Sequence, residues 1–467
     1  MAAPIKVTSN MNHALLKYRN LDEILKAMGG PVNLLRSSSL GPHAFPVVAP
    51  EYSNWRAEQQ AWKNDCALLD LSYHMTDLYL TGPDVMALLT KIGLNKFGTF
   101  PPNRGKQIIA ASHDGYMIGD GICFHTSDDL YRVVGPPMIS DWVQFNAESG
   151  NYNVQIERDE AITFRGGEPR IYIYQIQGPH ALELMSEVTD GKLPEIGFFH
   201  IGEFEIKGYP VRALRHGMAG APGFELFGPW KDQKFVLEAL ERAGEKYNLR
   251  KVGSMAYPTT TLESGWMPLP CPAIYHSEAM KPYREWMTPM HLEVMGSLGG
   301  SFESTNIVDY YMDPVEIGYG QFIDFSKDFI GKEALAQKVK NPKRKKVTLV
   351  WNEEDVMQVM RDSMYPGKSP AKFMSLPLAV YATFQYDAVV KGGKHAGISQ
   401  YVGYSANAKS MLSLSIVDLE LSGPGTELVV RWGEPNTRRS TVEKNEVHEI
   451  RAKVAPAPFY QKLIKKD

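Results

Sequence analysis

Two segments of the chain repeat one grammar: "DLYLTGPDVMALL" from Asp77 and "YQIQGPHALEL" from Tyr174 each read strand, Gly-Pro, helix. Pro83 and Pro179 suit the first helical turn, where a missing N–H costs nothing, and Gly82 and Gly178 permit the tight bend before it. A unit of this kind used twice restricts the chain to mixed helix and sheet, and it predicts two related α+β halves.

The flanking segments agree with that class. "NLDEILKAMGG" reads as a helix capped by Asn20, with Glu23 reaching back and Gly29 ending it. "DLYLTG", "KQIIAAS", "YMIGDGICFH" and "LYRVVG" alternate as strands do, with a turn at His113-Asp114-Gly115. A basic run, Lys343 to Lys346 after Pro342, reads as a solvated connector leading into a strand from Val347. The boundary therefore falls between residues 1–340 and 341–467. Beyond it, short alternating runs separated by Gly, Pro, Asn and Ser predict a small antiparallel β-barrel.

Composition removes several classes of function. With 467 residues, 43% of them hydrophobic, the chain can bury a large core. A net charge of −3 and a pI near 6.5 offer no general attraction for phosphate backbones or anionic lipid. Nucleic acid and membrane are accordingly not expected as partners. Cys66, Cys123 and Cys271 are too scattered for a CxxC pair and suggest a reducing compartment. "MAAPIKVTSN" lacks the apolar stretch of a signal peptide, so the cytoplasm is the expected location. There is no HExxH, no histidine pair at ligand spacing and no G-x-S-x-G elbow, so neither a bound metal nor a serine hydrolase is expected. "GSLGGSF" at Gly296 lacks the GxGxxG spacing and reads as a loop.

Polar residues inside apolar or glycine-rich segments are the candidates that remain. They are His74 in "LSYHMTDLYL", Asp120 in "YMIGDGICF", Glu225 in "GFELFG", and Tyr257, Glu263 and Trp266 in "AYPTTTLESGW". A carboxylate between Phe224 and Leu226 is costly to bury unless something donates hydrogen bonds to it. A pterin or guanine edge offers two such donors side by side. Strand alternation offers another reading, in which Phe224 and Leu226 face inward and Glu225 faces water. Gly119 and Gly121 around Asp120 can equally mark a turn.

Several segments taken in order resemble the folate-dependent T-protein family, the aminomethyltransferases of glycine cleavage and their relatives. They are "LLDLSYHM", "LTGPD", the stretch from Ala110 to Ile122, "QIQGPHA", "RHGMAGAPGFEL", "TLESG" and "DPVEIGYGQFIDFSKDFIGKEAL". The resemblance implies an α+β T-protein-like fold with two halves binding folate and a C-terminal barrel. It places Glu225 at the family's pterin-binding acid. "FPVVAPEYSNWRAEQQAW", "YPTTTLESGW", "AIYHSEAMKPYREW" and "GGSFESTNIVDYY" further resemble the tetrahydrofolate-dependent aryl O-demethylases, which act on vanillate and syringate.

By that likeness Tyr257 matches a catalytic tyrosine and His74 a histidine beside it. Gln177, Glu225, Trp266, Val134 and Met75 match folate-contacting positions. Members that act on vanillate carry tyrosines at the positions of His43 and Phe45 and an arginine at Pro136, beside the aromatic substrate. The altered trio points to a second methoxy group on the ring, as in syringate, with vanillate and 3-O-methylgallate within range. Tetrahydrofolate is the implied methyl acceptor, and the chain is expected as a monomer or small homo-oligomer. Aminomethyl or sulfonium-methyl transfer on the same scaffold, and folate binding without turnover, are the alternatives. The family's paired aspartates are Gly119-Asp120 here, which argues against the first of these. The K-G-C-x-x-G-Q-E signature of the non-catalytic relatives is absent.

Overall fold

The computed structural model describes residues 13–42, 47–162, 164–365, 367 and 369–460. The first strands in chain order are β1 (Cys66–Asp70), β2 (Thr76–Thr81), β3 (Arg104–Ala111), β4 (Met117–Ser127), β5 (Leu130–Gly135) and β6 (Gln155–Asp159). They are followed by β7 (Ile171–Gln177), β8 (Ile201–Ile206), β9 (Tyr209–Arg215), β10 (Gly223–Pro229) and β11 (Leu249–Val252). Two sheets result, one ordered β3-β4-β5-β2-β6 and the other β11-β1-β7-β10-β9-β8.

The two Gly-Pro units adopt the same local geometry. β2 turns at Gly82 (φ 120°) into the helix Val85–Ile92, and β7 turns at Gly178 (φ 128°) into the helix Ala181–Val188. A Cβ would lie 2.4 Å from the Asn153 carbonyl oxygen at Gly82 and 2.5 Å from that of Asp65 at Gly178. Positive φ and close backbone approach therefore both require glycine there.

Each sheet has an outer face under helices and an inner face turned to the other sheet. Leu78 and Leu80 of β2 pack with Val85, Leu88 and Leu89, whereas Phe224 and Leu226 of β10 pack with Leu184, Val236 and Leu240. Between the sheets lies a separate cluster that includes Phe124, Leu214, Phe227 and Val252.

The remaining strands are β12 (Leu298–Gly299), β13 (Arg344–Trp351), β14 (Phe384–Gln385), β15 (Asp387–Lys391), β16 (Lys394–Ser405), β17 (Ser410–Asp418), β18 (Glu427–Trp432) and β19 (His448–Ala455). Six of them close an antiparallel barrel in the order β13-β17-β16-β15-β18-β19, as the alternating runs predict. The basic run is a solvated connector only in part: Lys343 and Lys345 are exposed, but Arg344 and Lys346 are not. β13 starts at Arg344, whose guanidinium holds Glu316 at 2.8 and 2.9 Å, and Lys346 donates to the Gly265 carbonyl at 2.6 Å. Charge alone does not reveal that acceptors wait on the preceding segment.

Two smaller expectations also change. Glu23 accepts from the backbone N–H of Arg19, one residue before the Asn20 cap. Leu298–Gly299, inside the expected loop, pairs with Phe384–Gln385. Among the described residues no helix is long and apolar enough to cross a membrane, and no cluster of three or more His, Cys, Asp or Glu side chains could hold a metal ion.

Candidate functional site

A cavity of about 320 Å³ opens where the N-terminal segment, both sheets and the barrel meet, a size within the range of small-molecule sites. Its wall is mainly apolar, with Leu40, Pro136, Trp266, Leu292 and Val380 among the lining residues. His74, Met75 and Tyr257 line it too.

Tyr257 sits at the start of a single 3₁₀ turn, Tyr257–Thr259, after β11, with its backbone N–H donating to the Gly253 carbonyl at 3.0 Å. His74 comes from the loop between β1 and β2. The Tyr257 hydroxyl and His74 Nε2 are 2.7 Å apart, and the rings meet edge to face at 5.0 Å. Burial foremost, then Tyr401 and Glu225, push the phenol above its ordinary value near 10. At neutral pH Tyr257 is a neutral hydrogen-bond donor, and a weaker acid than a free phenol.

Glu225 is buried, so the solvent-facing reading does not hold. The physical reason is that β10 is covered on both faces. Phe224 and Leu226 point to the helices, and Glu225 points with Phe227 into the layer between the sheets. There the Arg132 guanidinium lies 4.0 Å from Glu225 and 3.4 Å from Asp77. Burial pushes Glu225 up to about 7, with Arg132 opposing and Asp77 reinforcing. It pushes Asp77 up to about 6.

Gln177, on neighbouring β7, accepts from the Met218 backbone N–H at 2.8 Å, while its Nε2 is buried with no hydrogen-bond partner among the described residues. Gln175 Oε1 is left in the same condition. Such groups cost about 1–3 kcal/mol each when unpartnered, so the place holds donor and acceptor capacity that no described residue uses. Glu225 offers acceptors and Gln177 Nε2 a donor, a set that suits an edge carrying both N–H donors and an acceptor. Backbone approach is close as well. At Gly223 a Cβ would lie 2.4 Å from the Ile176 carbonyl oxygen, and Ala219 and Gly220 of the preceding loop have φ of 47° and 76°.

Trp266 is fixed by a partner in the opposite sheet. Its Nε1 donates to Asp120 Oδ2 at 2.9 Å, and the same oxygen accepts from Gln107 at 2.8 Å and from Tyr319 at 2.9 Å. Asp120 lies within strand β4 and not at a turn, and it reaches the cavity only through the indole it holds. Glu263 is occupied elsewhere: it accepts from Trp62 at 3.0 Å and Ser405 at 2.6 Å, tying the first sheets to the barrel.

The structure brings His74, Met75, Pro136, Tyr257 and Trp266 together on the cavity wall. Glu225, Gln177 and Val134 lie deeper. Val134 pairs with Asp77 and Ile122 and packs on the inter-sheet cluster. Met218 and Tyr257 join the two places, since both line the cavity and pack on that cluster. His43 and Phe45 lie outside the described residues. Sequence reasoning missed Arg132 and Asp77. Their signal was present: each is a charged residue in an alternating apolar strand, the same argument that drew attention to Glu225.

Comparison with known proteins places these features in a family. The model of the GCVT N-terminal domain matches residues 32–270. A syringate O-demethylase of Sphingobium sp. (strain NBRC 103272 / SYK-6) is 41% identical over 444 residues, spanning 94% of this chain and 96% of that protein. A sesamin methylene transferase of Sinomonas sp. (strain No.22) is 28% identical over 438 residues, 89% of this chain and 91% of the relative. In fold, the crystal structure of the glycine cleavage system aminomethyltransferase T from Bartonella henselae is similar, with TM-score 0.58 and 14% identity over 94% of this chain and 97% of the other.

Proposed function

The chain belongs to the GCVT-domain, or aminomethyltransferase T-protein, family, and on that premise we propose that it is a tetrahydrofolate-dependent aryl O-demethylase. Its substrate on this reading is a methoxylated aromatic acid, syringate before vanillate or 3-O-methylgallate, and it works in the cytoplasm. The 41% identity to a syringate O-demethylase over nearly the whole chain supports the reaction class. The observation that carries the reading is the Tyr257–His74 pair, 2.7 Å apart on the wall of a largely apolar cavity beside the Glu225 layer.

Tetrahydrofolate, when bound, supplies the nitrogen nucleophile N5 that accepts the methyl group. Glu225 and Gln177 are the residues to hold its pterin edge, with Trp266, Val134 and Met75 along the ring. The unpartnered Gln177 Nε2 and the carboxylate of Glu225 are the polar groups such an edge needs.

The protein must align the methyl carbon between the incoming nitrogen and the departing oxygen and stabilise that oxygen as its bond to carbon breaks. Tyr257 is placed to donate a hydrogen bond to the aryl oxygen. As charge develops there the bond strengthens, which is differential binding of the transition state. His74 Nε2, 2.7 Å from the Tyr257 hydroxyl, orients it toward that oxygen. The wall is largely apolar, and Pro136, which lines it, is the residue read as meeting the ring substituents.

The test is direct. Purified protein incubated with tetrahydrofolate and a panel of methoxybenzoates should give 5-methyltetrahydrofolate and the corresponding phenol by mass. Absence of product with every member of the panel, or product without any aromatic substrate, overturns the reading.

A further inference from the structure

Between the two sheets the guanidinium of Arg132 is buried without a hydrogen bond among the described residues. The Nε, Nη1 and Nη2 atoms of Arg132 are each shielded from solvent and without a hydrogen-bond partner among the described residues. The guanidinium is held by rings instead, with its carbon 4.2 Å from the centre of Phe124 and 4.7 Å from that of Phe227. Burying a guanidinium in this way is unfavourable unless nearby anions require it. Asp77 lies 3.4 Å to one side and Glu225 4.0 Å to the other.

The placement follows from register. Arg132 of β5 pairs with Phe124 of β4 and Tyr79 of β2, which sets its side chain on the inner face of its sheet beside Asp77. Across the layer, Glu225 and Phe227 project from β10 toward it. Glu225 differs from Arg132 in one respect: its side chain is about 9% exposed, against 2% for the arginine. The carboxylate is thus the more accessible of the two groups, and the arginine stands behind it.

We propose that Arg132 is a positioning residue that keeps the Glu225 carboxylate ionised, so that it can accept two parallel hydrogen bonds from a ligand edge, while Asp77 opposes it. The inference rests on the reading of Glu225 as the pterin-binding acid. It adds that affinity for such an edge is set by a charge relay between the sheets that never touches the ligand.

The charges around Glu225 can be named from each side. Arg132 and Asp77 face it from the opposite sheet, and beyond them Asp159 is paired with Arg165 at 2.8 Å. Tyr257 and its partner His74 lie toward the cavity. With Glu225 at about 7 and Asp77 at about 6, both charges change in or near the neutral range, that of Glu225 at the higher pH. A ligand that only donates to the carboxylate binds the ionised form, so affinity should fall as pH drops through that value.

The experiment is anaerobic calorimetric titration of tetrahydrofolate into the full-length protein from pH 5.5 to 9. Wild type should show affinity rising with pH to a plateau. Arg132→Gln removes the favourable charge and should move the midpoint up by about 1–3 pH units. Asp77→Asn removes the opposing charge and should move it down by about one unit. Opposite displacements cannot arise from general damage to the layer, which would weaken binding at every pH. Shifts in the same direction, or none in well-folded variants, overturn the proposal. Glu225→Gln separates the two readings: it should abolish the pH dependence, and if tetrahydrofolate still binds this variant as well as wild type, the pterin reading of Glu225 fails first.

Discussion

Replacing Tyr257 by phenylalanine removes one oxygen and leaves the ring that packs against His74. The ordinary expectation for a general acid is a loss of about 10²–10⁴-fold, reached when the acid and the leaving phenolate have matched pKa values. The structure argues for less. Burial, with Tyr401 and Glu225 adding to it, pushes the Tyr257 phenol above 10, so complete proton transfer to a departing phenolate is uphill. What the hydroxyl supplies is a hydrogen bond to developing negative charge, worth about 1.5–3 kcal/mol, or about 10- to 150-fold in rate. The loss should fall on kcat rather than on binding, because the aryl oxygen becomes a strong acceptor only as the methyl leaves.

The assay is anaerobic single turnover with a series of ring-substituted methoxybenzoates, following 5-methyltetrahydrofolate. The deficit of Tyr257→Phe should shrink as the leaving phenol becomes more acidic. His74→Gln should cost little more in the Tyr257→Phe background than the single change does, since the two side chains act as one unit through their 2.7 Å contact. A variant that keeps wild-type kcat, or loses one constant factor with every leaving group, would refute the reasoning and leave Tyr257 as a wall of the pocket.

Glu225→Gln should have opposite effects on ligand affinity and on stability. Tetrahydrofolate affinity should drop by about 2–4 kcal/mol, because an acceptor becomes a donor facing a donor. In the ligand-free protein the folded carboxyl holds its proton to about 7 while the unfolded chain releases it near 4.5, so wild type loses stability as pH rises between those values. At about 1.4 kcal/mol per unit that is roughly 3 kcal/mol by pH 8, absent from the variant. Thermal midpoints at pH 5 and pH 8 measure it, and identical pH dependence in both proteins would count against the buried carboxyl. For the pocket altered at His43, Phe45 and Pro136, kcat/KM should favour syringate over vanillate by about 1–3 kcal/mol, and a vanillate preference contradicts that reading. Asp120→Ala removes the acceptor shared by three donors, among them the Trp266 N–H, so KM for tetrahydrofolate should rise more than kcat falls, and an unchanged KM would detach Trp266 from the folate. Gly178→Ala places a methyl 2.5 Å from the Asp65 carbonyl oxygen at φ 128°, and should destabilise more than Gly208→Ala, where φ is also positive but the space is open. Equal melting temperatures for the two variants would show that backbone approach is not what glycine serves at Gly178.

The features legible in the sequence were those that covalent geometry and short-range periodicity impose. Glycine at Gly82 and Gly178, the alternating strands, the Asn20 cap and the barrel runs depend on residues a few positions apart, and the structure has each of them. An acid between Phe224 and Leu226 was conspicuous for the same reason. Whether that acid met water or the interior was not a local matter. It depended on a second sheet closing over β10, and on Arg132, 93 positions earlier in the chain, arriving opposite it. Likewise Tyr257 and His74 are separated by 183 residues, and their 2.7 Å contact exists only because two loops converge on one cavity. Asp120 became the anchor of Trp266, and Arg344 the partner of Glu316, through contacts across 146 and 28 positions of the chain. Desolvation by distant segments sets the pKa values of Glu225 and Tyr257, and so the chemistry of the site, because burial belongs to the packed whole and not to the residue.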